Sequence, residues 1–244
     1  MTTGNLKNRD RALARWPAAL WLALVCVAAS GGTTLRFFGP RELEAEFGAI
    51  AYTLSRLLLL GLPLVWWWRN SREFASLQFT PPTRAHWRAG LGWGLAMAGI
   101  ILATYVGLGR TWISPEAVRQ QAQAVGITSP AMFLMGAAYF SLLNAVVEEY
   151  VWRWFVYDQW ERLLGHASGL AMLGAALWFT LHHILALAAY TPIGVVVLGS
   201  VGVFVAGMIW CECYRRYRSI WPSYISHVLA DLAIALVGWQ LLFG

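Results

Sequence analysis

Long apolar runs separated by short polar stretches make up nearly the whole chain, and their lengths predict membrane-spanning helices. Seven runs, at 16–38, 47–68, 89–109, 131–157, 169–190, 193–213 and 221–243, approach or exceed the ~20 residues that a bilayer helix needs. The first is interrupted by Gly31 and Gly32. With its basic start and the small residues Ala28, Ala29 and Ser30 it resembles a signal peptide, but the spans that follow make it an uncleaved signal anchor. Between the third and fourth runs, "SPEAVRQQAQAVG" carries helix-start signals: Ser114 as N-cap, Pro115 at the first helical position and Glu116 in the first turn. They predict a short polar surface helix over 115–125; if it entered the membrane, the spans would number eight. The expected architecture is an all-α, polytopic transmembrane bundle. Residues 1–15 form a basic cytoplasmic terminus and 16–244 a single transmembrane domain, with no internal repeat and no soluble domain.

Composition agrees with the pattern. The 244 residues are 59% hydrophobic and 12% charged, with a mean hydropathy of +0.54, whereas soluble domains carry about 25% charged residues. Fifteen tryptophans suit two interfacial belts. The net charge of +6 does not point to nucleic acid, because the cations sit in short loops, where the anionic cytoplasmic leaflet is the natural partner. Lys7, Arg9, Arg11, Arg15, Arg69, Arg72, Arg84, Arg88, Arg162, Arg215, Arg216 and Arg218 fall on one side of a seven-span layout. Arg36, Arg41, Arg110 and Arg119 fall on the other. Twelve against four predicts the N-terminus inside and the C-terminus outside, in a bacterial inner membrane. Cys26, Cys211 and Cys213 lie in or beside apolar segments without a usual zinc spacing and read as small apolar residues.

The chemistry is concentrated in three places within the spans. In "VVEEYVWRWFVY", Glu149 and Arg153 are four apart with the acid first, the favourable order for an ion pair on one helix. Glu148 is rotated about 100° from Glu149 on an α-helix and lacks that partner. One glutamate thus reads as structural and the other as available for base chemistry. "FTLHH" puts Phe179 and His183 on one face of the next run, with His182 turned away. In "SHVLAD", His227 and Asp231 share a face of the last run, and Asp231 is placed to orient the imidazole. Ionisable groups inside a bilayer are costly and mark relays, pathways or catalytic sites. The set has no serine or cysteine nucleophile beside a histidine; it suits activation of water, by Glu148 as base or by a bound metal.

The order EExxxR, FxxxH, HxxxN/D on three successive membrane helices resembles the CAAX protease and bacteriocin-processing family, also called CPBP or Abi. The motifs are Glu148–Glu149 with Arg153, Phe179 with His183, and His227 with Asp231, and the likeness covers about 130–235. The resemblance implies a glutamate-dependent intramembrane endopeptidase acting on a membrane-associated protein or peptide. In it Glu148 deprotonates water with help from His183, while His227 and Asp231 line the oxyanion side. Glu149 and Arg153 hold the helix and tune Glu148, and Phe179 walls the cavity. An ionised aspartate cannot donate a hydrogen bond, so with Asp231 the oxyanion donor is His227 or a protonated Asp231. The expected mechanism needs no cofactor; the alternative is zinc on Glu148, His183 and His227 with Asp231 behind them. Prenylated CAAX proteins are the family's best-known substrates, while a bacterial chain has signal-like tails, sorting tails or peptide pheromones as further options.

Two other classes compete with this reading. A transporter or proton relay also keeps acids and imidazoles in its spans, but paired repeats and broken helices are missing from the pattern. A non-catalytic scaffold or bacteriocin-immunity protein would keep the fold with a decayed site, whereas here every motif position is filled.

Overall fold

The computed structural model describes residues 19–31, 34, 47–69, 81–164 and 168–244. The basic stretch 1–15, together with Arg36, Arg41 and Arg72, lies outside the described residues. The described residues form eight helices and no strand. Six helices are long and apolar enough to cross a membrane: α2 Ala49–Arg69, α3 Arg84–Trp112, α5 Pro130–Leu163, α6 Ser168–Tyr190, α7 Ile193–Tyr217 and α8 Trp221–Phe243. Of the seven expected spans, the first appears as α1, Ala19–Gly31, which is apolar but short over its described residues. The polar helix α4, Pro115–Ala124, has ten residues. At 1.5 Å per residue that is about 15 Å, half of a bilayer's hydrocarbon thickness, so α4 adds no eighth span.

Local signals fix where these helices start and stop. Ser114 and Ser129 cap α4 and α5 by accepting from the backbone N–H of Ala117 (3.2 Å) and Met132 (3.3 Å), each followed by proline at the first position. Thr83 and His86 close a reciprocal capping box at the start of α3. Arg218, at φ +46°, turns the chain out of α7 before Pro222 opens α8.

Helices in lipid associate through close packing rather than hydrophobic burial, so small residues decide where they touch. The tightest pairing is α3 against α8. A Cβ on Gly90 would sit 2.7 Å from the Ile225 Cβ, and one on Gly94 would sit 2.5 Å from the Leu229 Cδ1 and 3.1 Å from the Ser226 Cα. Helices α6 and α7 meet the same way, with Gly207 facing Ala176. The buried core gathers around α5, whose Val151, Trp152, Trp154, Phe155, Val156 and Tyr157 pack with Ala171, Ala175, Phe179, Trp210 and Tyr214.

Helix α5 is not the continuous α-helix that its spacing suggested. It passes into π-helix at Tyr139–Asn144, returns to α over Ala145–Glu148, and is π again at Glu149–Tyr157. π segments are rare and frequent at functional sites. The end of α5 is fastened by Tyr157, whose hydroxyl donates to Glu161 at 2.5 Å, and by Arg218, which donates to Glu161 at 3.0 Å.

Candidate active site

Three helices bring the motif residues together. Glu148 and Glu149 come from α5, His183 from α6, and His227 and Asp231 from α8. His227 lies between the glutamates: its Nδ1 is 2.9 Å from Glu149 Oε1, and its Nε2 is 3.6 Å from Glu148 Oε2. His183 approaches the same Glu148 oxygen from α6, with Nε2 at 3.9 Å. Asp231 Oδ2 stands 3.7 Å from His227 Nε2. The carboxylate that orients His227 is Glu149, on another helix, while Asp231, four residues on, faces the opposite nitrogen.

The remaining contacts hold these groups in place. His227 stacks on Trp210, ring centroids 4.1 Å apart and planes 20° apart, and the Trp210 indole donates to Ser226 Oγ at 3.0 Å. Phe179 sits against His183 at 4.3 Å and meets His227 edge to face at 6.4 Å, so it walls both imidazoles. Arg153 Nε is 3.3 Å from Glu149 Oε2, and both side chains are sealed at 1% and 0% exposure. No described residue gives the Arg153 nitrogens a well-aligned hydrogen bond. The guanidinium is instead held between two aromatic faces, 4.4 Å from the Phe179 centroid and 4.9 Å from that of Trp210. His182, turned from the site as its spacing indicated, has Nδ1 3.0 Å from the Ala29 carbonyl of α1.

The hydrogen bonds assign the ring protons. A carbonyl oxygen can only accept, so His183 Nδ1, 2.9 Å from Phe179 O, carries a proton. His227 Nδ1 likewise donates to Glu149, whose charge is matched by Arg153. In their neutral forms both imidazoles therefore turn a bare Nε2 toward Glu148 Oε2. Three lone-pair atoms then face one another at 3.6 and 3.9 Å, too far for direct hydrogen bonds and suited to a guest that donates protons between them. The side chains of Asp231 and His183 are 24% and 25% exposed, against 0% for Glu149, so the site opens on the Asp231–His183 side.

Sequence reading missed three residues here. Asn144 donates its amide to Glu148 Oε1 at 2.9 Å; the signal available was an asparagine four residues before the glutamate in an otherwise apolar run. Trp210, on α7, stacks on His227 and is tied to Ser226; Ser226 stands next to His227 in the third motif stretch, whereas nothing in the spacing of Trp210 to the motifs marks it.

Two imidazoles and a carboxylate are a donor set that zinc accepts. No group of three or more His, Cys, Asp or Glu among the described residues is arranged to hold a metal ion, however, so no catalytic step is assigned to one.

Residues 130–233 match the family model described as Rce1-like, type II CAAX prenyl endopeptidase Rce1-like. No curated protein and no solved structure matches the chain. The matched segment begins with α5 and ends within α8, so it contains all three motifs. Over that segment the resemblance to the CAAX protease family is shown; α1 to α4 lie outside it.

Proposed function

We propose that this multi-pass membrane protein is an intramembrane endopeptidase that hydrolyses a peptide bond of a membrane-associated protein or peptide with water activated by Glu148. The family match supports a peptidase at the coarser level. The observation that carries this reading is the convergence of Glu148 Oε2 with the Nε2 atoms of His183 and His227, at 3.9 and 3.6 Å, on the side of each ring away from its Nδ1 hydrogen bond.

In this reading a water in the gap gives one proton to Glu148 Oε2 while its oxygen bonds to the scissile carbonyl carbon. The carbonyl π pair moves onto its oxygen. Glu148 then passes the proton to the departing nitrogen, and the C–N bond breaks as the carbonyl reforms. His183 orients the water through Nε2. His227 donates to the oxyanion only when Nε2 is also protonated, and Asp231 Oδ2 stands 3.7 Å from that nitrogen. Glu149 and Arg153 keep the His227 ring fixed.

The test is cleavage of a membrane-peptide library by the purified protein and by Glu148→Gln, each with and without a chelator. A general base contributes about 10²–10⁴-fold, so Glu148→Gln is expected to cleave at least about 100-fold more slowly while the chelator changes nothing. Loss of wild-type cleavage with the chelator would transfer the water to a metal. A wild type that cleaves nothing would leave a non-catalytic scaffold as the better account.

A further inference from the structure

Asn144 lies in "FSLLNAVV", an apolar stretch of a membrane helix where a primary amide has no use toward lipid. Its side chain is nevertheless engaged, with Nδ2 2.9 Å from Glu148 Oε1. The backbone makes this contact possible. Ala145–Glu148 is the single α-helical turn between two π segments of α5, and α geometry sets residues four apart above one another. The two oxygens of a glutamate are chemically equal, and its terminal torsion is soft and roughly two-fold. Untied, the carboxylate would present either oxygen, or neither, to the gap at His183 and His227.

We propose that Asn144 is a positioning residue for hydrolysis: by holding Oε1 of Glu148, it presents Oε2 to the water. The proposal rests on the peptidase reading above and adds to it. With both carboxylates ionised and both imidazoles neutral, Glu148, Asp231 and the two Nε2 atoms beside them are all acceptors. Asn144 is then the permanent N–H donor that touches Glu148 in the described structure. It can fix the carboxylate without taking the proton that Glu148 must accept, which a cationic partner on the same oxygen would oppose.

The test compares purified full-length wild type, Asn144→Leu, Asn144→Gln and Asn144→Asp in one peptide-cleavage assay, with thermal unfolding of each in detergent. Orienting partners of catalytic groups are typically worth about 10–100-fold. Asn144→Leu is expected to lose that much in kcat, with KM within about twofold and an unfolding midpoint no lower than wild type, since leucine suits a span better than asparagine does. Asn144→Gln keeps an amide within reach of Glu148 and should recover most of the loss. Asn144→Asp sets two carboxylates against each other and should be at least as impaired as leucine. Wild-type kcat in Asn144→Leu would overturn the proposal, as would a change confined to KM, or equal losses in Leu and Gln with a lowered midpoint. Glu148→Gln serves as the control: if it cleaves like wild type, Glu148 is not the base and the proposed mechanism fails, and if wild type cleaves nothing, the peptidase reading fails. If Glu148→Gln is inactive while Asn144→Leu is fully active, only the positioning role fails.

Discussion

His227 touches both members of the glutamate pair, and this single ring explains why the adjacent acids are not redundant. The EExxxR spacing made the Glu149–Arg153 pair legible, because four residues on one helix is a local relation. That Glu149 also holds Nδ1 of an imidazole 78 residues away was not legible, since no local spacing encodes which helix faces α5. The same holds for Arg153, whose charge is met by one carboxylate and two aromatic faces from other helices. Removing one partner of a buried ion pair costs about 3–5 kcal/mol, whereas replacing both by apolar residues is often neutral. Glu149→Leu and Arg153→Leu are each expected to lower the unfolding midpoint strongly in detergent. The double variant should regain most of that stability yet stay inactive, because His227 has lost its acceptor. A double variant that is stable and fully active would remove Glu149 from the site.

At the level of elements, apolar length located the helices well: the 221–243 run is α8 to the residue, and the 169–190 run differs from α6 by one. The π segments of α5 were not legible, because π and α turns draw on the same residues and differ only in which carbonyl each N–H reaches. The α3–α8 seam was written in the sequence as Gly90-x-x-x-Gly94, a spacing that permits close approach of membrane helices. It carries no ionisable group and so attracted no functional reading, yet it sets α8 and therefore His227. A side chain at position 94 meets Leu229 and the backbone of Ser226, whereas one at position 92 meets open space. Gly94→Val should destabilise the fold by about 1–3 kcal/mol through overpacking and lower kcat by displacing His227. Gly92→Ala, on the same helix, should leave both unchanged. Equal behaviour of the two variants in unfolding and cleavage assays would contradict the assigned role of the seam.

For the molecule as a whole, the matched segment holds all three motifs and the preceding helices supply its frame. Helix α3 clamps α8, and the Leu60 carbonyl of α2 accepts from the Tyr150 hydroxyl at 3.1 Å, beside Glu149. The all-α bundle and the convergence of α5, α6 and α8 followed from run lengths and from costly charges needing one another inside a bilayer. The side on which the site opens, and the aromatic brace around His227 and Arg153, emerge only from tertiary packing. The central claim is that Glu148 activates the water that cuts the peptide. The most direct measurement is mass spectrometry of peptide fragments produced in ¹⁸O-labelled water by purified wild type and Glu148→Gln. The account predicts one ¹⁸O atom in the new carboxyl terminus of each wild-type product and at least about 100-fold less product from the variant. Labelled product formed by Glu148→Gln at the wild-type rate would contradict it.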